Sequence, residues 1–278
     1  MINTLLNCRG RMLDVSNPIV MGILNVTPDS FFDGGKFNDE NNIRMQAAKM
    51  TDEGAMLIDL GAVSSRPGAV EVSEQEEWQR LEPALKLLTK EFPQCIISVD
   101  TFRASVAAMA IREGASIIND ITAGLDDKMF SLLAASNTPY IMMHMQGNPR
   151  TMQQNPSYEN VTAEVMAFFI ERLEKARNAG LKDIIIDPGF GFGKTIAHNF
   201  QLLEELDQFK VLECPVVVGL SRKSMVNNIL GIKAAAALNG TTVLNTIALI
   251  KGANILRVHD VNEASQAVKL TGQLKVVA

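Results

Sequence analysis

Asp187 closes the apolar run Ile184-Ile185-Ile186 and is followed by Pro188 and three alternating glycines, Gly189, Gly191 and Gly193. Three β-branched residues make a buried strand, and proline with glycine makes a tight turn poor in side chains, so a carboxylate is held at the lip of a cavity. The glycines let a ligand approach the backbone closely, and Phe190 and Phe192 offer flat apolar faces beside it. A flat heterocycle with hydrogen-bond donors on its edge suits that combination. The alternative is a glycine-rich strand-to-helix turn in which Asp187 is a local cap. Neither nucleotide loop fits: Pro188 stands where a phosphate-binding P-loop needs glycine, and the glycine spacing is not Gly-x-Gly-x-x-Gly.

Arg257 and His259 lie two apart on a candidate strand, so they point the same way and can reach one anion. With Arg66, from a Pro-Gly loop, they suit a phosphate or pyrophosphate clamp. The plain alternatives are a structural ion pair for Arg257 and a satisfied core hydrogen bond for His259. Asn25 offers a neutral oxygen, and Mg2+ takes few protein ligands when substrate phosphate and water complete its shell; a loop-capping role competes. Asp100, Asn119 and Asp187 stand at three strand ends and can read the edge of a heterocycle. Asp100-Thr101 also reads as the N-cap of a helix over 102–113, and Asn119 can satisfy neighbouring backbone groups. Lys223 follows Gly219-Leu220-Ser221-Arg222 and opens a helix whose N-terminus, with Ser224, can receive a carboxylate or polarise a carbonyl. Otherwise Arg222 and Lys223 are a solvated basic pair.

Bringing such scattered groups together requires a repeated scaffold. Helical stretches end in glycine and lead into a strand four times, at Gly54 before 56–60, Gly114 before 116–118, Gly180 before 184–186 and Gly252 before 255–258. Apolar runs at 19–24, 96–99, 140–145 and 216–218 complete eight candidate strands. Ser73 and Glu76 have capping-box spacing at the head of a helix over 73–92. Residues 4–17 alternate around Arg9-Gly10-Arg11 as a small hairpin. Eight βα units in one domain over 1–278 predict an α/β fold, a (β/α)8 TIM barrel with a short N-terminal hairpin within 1–17; a doubly wound open sheet is the rival. Barrel chemistry gathers at the C-terminal ends of the strands, where Asn25, Ser64-Ser65-Arg66, Asp100, Asn119-Asp120, His144, Asp187, Ser221-Arg222-Lys223-Ser224 and Arg257-Val258-His259-Asp260 all fall. The loop over 25–35 has no periodicity and reads as a binding segment or lid.

The 278 residues are 47% hydrophobic and carry a net charge of -5, which supplies a core and gives no general electrostatic case for nucleic acid. Cys8, Cys95 and Cys214, odd in number and widely spaced, read as reduced thiols of a cytoplasmic protein. The three histidines lack His-Glu-x-x-His spacing, so a protein-built zinc site is not expected. Neither a secretory signal nor a membrane-spanning run is evident, and small molecules are the expected partners.

In their order along the chain these motifs resemble dihydropteroate synthase, the pterin-binding barrel family of folate biosynthesis. The likeness runs through Asn25-Val26-Thr27-Pro28-Asp29-Ser30-Phe31, Ser65-Arg66-Pro67-Gly68, Val99-Asp100-Thr101, Ile118-Asn119-Asp120, Met143-His144-Met145, Asp187 to Lys194, Ser221 to Ser224 and Arg257 to Asp260. It implies an enzyme that joins (7,8-dihydropterin-6-yl)methyl diphosphate to 4-aminobenzoate with Mg2+, and a homodimer. It further implies that Asp187, Asn119 and Asp100 hold the pterin, with Lys223 at its polar edge and Met143 and Phe190 lining the pocket. Asn25, Ser65, Arg66, Arg257 and His259 would meet the diphosphate, Asn25 the Mg2+, and Arg66, Pro67, Phe190 and Ser224 the aminobenzoate. Asp100, Lys223, Arg257 and His259 would carry the catalysis. One departure stands out: the family shows Gly-Glu-Ser-Thr-Arg-Pro-Gly in its second loop, whereas Val63 here replaces the glutamate. A corrinoid methyl transferase on the same barrel would need no diphosphate site, and a pterin-binding paralogue without catalysis is the reading that Val63 keeps open.

Overall fold

The computed structural model describes residues 4–27, 36–63, 72–147 and 152–274. The chain opens with the expected hairpin, β1 (Leu5–Cys8) antiparallel to β2 (Arg11–Asp14). Arg9 and Gly10 both have positive φ, 55° and 84°, the two-residue turn whose twist matches that of paired strands. Eight strands follow: β3 (Ile19–Asn25), β4 (Leu57–Gly61), β5 (Ile96–Asp100), β6 (Ile117–Asp120), β7 (Tyr140–Met143), β8 (Ile184–Asp187), β9 (Val217–Val218) and β10 (Ile255–Val258). Their pairings are all parallel and run in the order β8-β7-β6-β5-β4-β3-β10-β9. A bridge between Ile186 and Val216, with Ile186 N–H donating to the Pro215 carbonyl at 2.9 Å, closes the ring. This is the predicted barrel and not the open sheet.

Helices α1 (Lys36–Asp52), α2 (Glu74–Glu91), α3 (Ala104–Arg112), α4 (Met129–Ser136), α5 (Val161–Asn178), α6 (Ile196–Glu204), α8 (Leu238–Ile250) and α9 (Val261–Leu274) surround it, with the short α7 (Ser224–Leu230) ahead of α8. The glycines expected to stop helices all adopt positive φ, between 97° at Gly180 and 113° at Gly114. Ser73 caps α2 by accepting from the Glu76 N–H at 3.2 Å. Asp100 caps nothing: α3 starts at Ala104, whose N–H donates to the Asp126 carboxylate at 2.8 Å. Among the described residues, no helix is long and apolar enough to cross a membrane.

Alternation along the strands divides the interior into two apolar bodies. Ile58, Leu60, Ile97 and Val99 face outward into the helical shell. Leu57, Ile96, Ile117, Ile141, Ile185, Val217 and Ile255 face inward at the start of the barrel, where Leu6, Cys8, Leu13 and Val15 of the hairpin pack beneath them. The N-terminal mouth is thereby stoppered with hydrocarbon. Continuing upward by two residues from Leu57 and Ile96 places Asp59 and Ser98 inside the barrel, and two more place Gly61 and Asp100 at its upper edge.

Candidate active site

The glycine-rich turn after β8 is pinned from several sides. Asp187 Oδ1 accepts from the Gly189 N–H at 2.8 Å, as the local-cap alternative requires of one oxygen. Gly191 N–H donates to Asn199 Oδ1 at 2.7 Å. Lys194, buried within the turn, donates to the carbonyls of Gly189 and Phe192 at 3.0 and 3.1 Å and to His144 Nδ1 at 2.9 Å. Burial drives the Lys194 ammonium down to about 7, and burial with the adjacent Lys194 charge drives His144 down to about 2. His144 is therefore a neutral acceptor behind the turn. A Cβ on Gly189 would sit 1.8 Å from the His144 carbonyl oxygen, at φ 71°. Gly189→Ala is expected to displace the turn and to lower stability by more than about 2 kcal/mol, read as a fall in the denaturation midpoint.

The two phenylalanines of this turn divide differently from the expectation. The Phe190 ring is fully buried in the shell between barrel and helices, and Phe192 lines the cavity. What Phe190 turns toward the site is its carbonyl, which accepts from Lys223 Nζ. Lys223 also lies 4.8 Å over the Phe192 ring, a cation held on an aromatic face. Burial lowers Lys223 to about 8 against the opposing pull of the Asp187 carboxylate. Asp187 is itself raised, because burial outweighs the Lys223 charge.

Across the barrel a second polar cluster surrounds Asp59, a fully buried carboxylate in the middle of β4. Its Oδ1 accepts from Ser98 Oγ at 2.6 Å, and its Oδ2 accepts from Asn119 Nδ2 at 3.0 Å and Arg257 Nε at 2.6 Å. Arg257 Nη2 continues to Asp100 Oδ2 at 3.1 Å. Arg257 is thus in the ion pair posed as its structural alternative, with two carboxylates. Burial opposes its charge, but Asp59 and Asp100 hold it above the usual guanidinium value. Asp100, desolvated and beside Asp59, is raised to about 7 although Arg257 opposes the shift. Asp59 escapes a motif search because it lies inside an apolar run, Leu57-Ile58-Asp59-Leu60, and not at a strand end; its inward parity is the signal.

One cavity at the C-terminal mouth is lined by Asp100, Asn119, Met143, Asp187, Lys223 and Arg257 together with Phe192, Ile121 and Gly219. Asn25 adjoins it: a Cβ on Gly61 would lie 3.2 Å from Asn25 Oδ1 and 3.6 Å from the Asp100 side chain. His259 is exposed just past β10, and its Nδ1 is 3.0 Å from Ser221 Oγ. Ser224 is exposed at the first residue of α7. Arg222 is no free cation: it pairs in bidentate fashion with Asp260 at 2.8 and 2.9 Å and donates to the Ala234 and Ala235 carbonyls. Ser65, Arg66 and Pro67 lie outside the described residues, as does most of the loop after Asn25. Among the described residues no group of three or more His, Cys, Asp or Glu side chains is placed to hold a metal.

The arrangement suits a flat, polar-edged ring held between Asp187 and Asn119, with cations at one side. The sequence matches the pterin binding enzyme family over residues 21–259. It is similar to the dihydropteroate synthase of Escherichia coli strain K12, with 44% identity over 264 residues that cover 94% of this chain and 93% of the relative. The fold is similar to Yersinia pestis dihydropteroate synthase solved with a sulfonamide drug complex, at a TM-score of 0.92 and 42% identity over 98% of this chain and 99% of that one. It is also similar to Xanthomonas albilineans dihydropteroate synthase solved with 4-aminobenzoic acid, at a TM-score of 0.93 and 37% identity over 99% of each chain.

Proposed function

We propose that this chain, which belongs to the dihydropteroate synthase family of pterin-binding enzymes, joins (7,8-dihydropterin-6-yl)methyl diphosphate to 4-aminobenzoate and divides the reaction among its rim residues. Asp187, Asn119 and Asp100 hold the pterin edge, Lys223 donates to its polar side, and Met143 and Phe190 line the pocket, with Phe192 beside them. With Nε and one N–H of Nη2 of Arg257 engaged by Asp59 and Asp100, the N–H groups of Nη1 and the second on Nη2 can serve the diphosphate, which His259, Ser65 and Arg66 also meet. Arg66, Pro67 and Ser224 receive the aminobenzoate.

The methylene C–O bond breaks with its electron pair leaving on diphosphate, the aniline nitrogen forms the C–N bond, and its proton passes to solvent. The electron-rich dihydropterin shares the transient positive charge, so the protein needs to stabilise an anion and a cation and to position the amine. Asp100, at the cavity, is the carboxylate we assign to offset that cation, with no covalent enzyme intermediate. Asn25 suits Mg2+: its neutral amide oxygen is a hard donor at the rim, as an ion sharing its shell with diphosphate and water requires. When bound, Mg2+ supplies neutralising charge to the leaving diphosphate.

The observation that carries this reading is the convergence of Asp100, Asn119, Asp187, Lys223 and Arg257, from distant parts of the chain, on one cavity. Pyrophosphate release with both substrates and Mg2+ tests it; tight dihydropterin binding with no release would instead indicate a binding protein. Because kcat/KM reports groups of the free enzyme, it is expected to fall as pH rises through about 8, where Lys223 loses its proton. In Lys223→Arg that alkaline limb should move out of range, since a guanidinium stays charged. A pH profile of kcat/KM for the dihydropterin substrate checks both.

The single domain is taken to span 1–278, in the cytoplasm, as the three buried free thiols suit. Ile229 and Leu230 on α7, Val243 and Ile250 on α8 and Leu270 on α9 are exposed apolar side chains that suit a homodimer face. Light scattering at twice the chain mass tests it.

A further inference from the structure

Asp59 lies behind the residues that line the described cavity and is bonded to two of them, Asn119 and Arg257. A carboxylate only accepts hydrogen bonds, so the Asn119 amide must turn its Nδ2 toward Asp59, which leaves the acceptor Oδ1 as its other end. The same oxygen of Asp59 takes Arg257 Nε, and Asp100 takes Nη2, so the guanidinium plane is fixed by two of its edges. Ser98 Oγ fixes Asp59 in turn through the other oxygen. One buried carboxylate therefore decides which end of an amide and which edge of a guanidinium are offered at the mouth.

We infer that Asp59 is a positioning residue that sets the donor and acceptor pattern of the pterin site, by orienting Asn119 and Arg257 from beneath. This rests on the synthase reading above. In Asp59→Asn the amide oxygen can face Asn119 and Arg257 only with its NH2 turned to the Ser98 hydroxyl, and without the negative charge it holds the guanidinium less firmly, so Arg257 withdraws. Among the described residues, the bonds of Asp59 run to Ser98, Asn119 and Arg257 and none to α7, where Ser224 stands.

The test is steady-state kinetics of Asp59→Asn with each substrate varied in turn, alongside the wild-type protein. The expected result is a KM for the dihydropterin diphosphate raised at least about tenfold with the 4-aminobenzoate KM held within about twofold. Unchanged dihydropterin KM, or an equal rise in both, overturns the inference while wild-type turnover leaves the synthase reading standing; no wild-type turnover overturns that reading instead. If thermal melting shows Asp59→Asn unfolded, Ser98→Ala is the second variant. It keeps the carboxylate and loosens one anchor, so the dihydropterin KM alone should rise about threefold. Two unchanged KM values there overturn the inference.

Discussion

Replacing Lys223 with alanine is expected to lower kcat/KM by at least about 100-fold while leaving the barrel folded. Of the cations that act on Asp187 the Lys223 ammonium acts most strongly, and it also donates to the Phe190 carbonyl and rests on the Phe192 face. Without it, burial acts on Asp187 against weaker opposition, from the Gly189 N–H, Arg257 and Lys194, and pushes the carboxyl further toward its neutral form, so the edge that reads the pterin shifts in charge as well as losing a donor. Stability should hardly suffer, because the lowered Lys223 value means that burying this cation was itself unfavourable. Turnover measured beside a thermal melt separates the two effects. A folded Lys223→Ala protein with wild-type kcat/KM would remove Lys223 from the reaction.

Arg257→Met should be the most damaging change to stability, at about 3–5 kcal/mol near neutral pH, because it strands Asp59 and Asp100 together without their cation. The sign of the accompanying pH dependence follows from Asp100, whose carboxyl is already raised from 3.8 to about 7 by burial and by Asp59, with Arg257 opposing. A folded value above the unfolded one means that the native state binds the extra proton. Its contribution to stability is therefore present at acid pH and is lost as pH rises through that window. Removing Arg257 takes away the charge that opposes the rise at Asp100, so the variant should regain stability on acidification by more than wild type does. Denaturant titrations at acid and at neutral pH measure this. Asp59→Asn added to Arg257→Met should restore part of the loss, since it removes the uncompensated charge. Equal midpoints for wild type and Arg257→Met at neutral pH would show that the ion pair carries no net stability.

Most of the scaffold is legible in the residues because it is written in local signals. The glycine stops at Gly54, Gly114, Gly180 and Gly252 are positive-φ positions whose requirement does not depend on the rest of the fold. The Arg9-Gly10 turn is equally local. What stayed hidden depends on which way a side chain faces once the ring has closed. Asp59 has no motif, and only its parity with Leu57 reveals that it points inward. Phe190 and Phe192 look equivalent in sequence, but alternating positive-φ glycines break the strand's two-residue period, so spacing does not say which ring meets the cavity. His259 shows the same limit. Its expected kinship with Arg257 assumes a strand through both, yet β10 stops at Val258, leaving Arg257 inside the barrel and His259 exposed against Ser221.

The hydrocarbon stopper formed by Leu6, Cys8, Leu13 and Val15 has a consequence for traffic. A ring blocked at one end is a blind alley, and everything that enters must reverse out by the same door. A molecule seated against Asp187 and Asn119 lies further in than exposed His259 and Ser224. Whatever occupies the inner berth must arrive before the outer one fills. Sequence of arrival is then imposed by architecture, without any moving part having to enforce it.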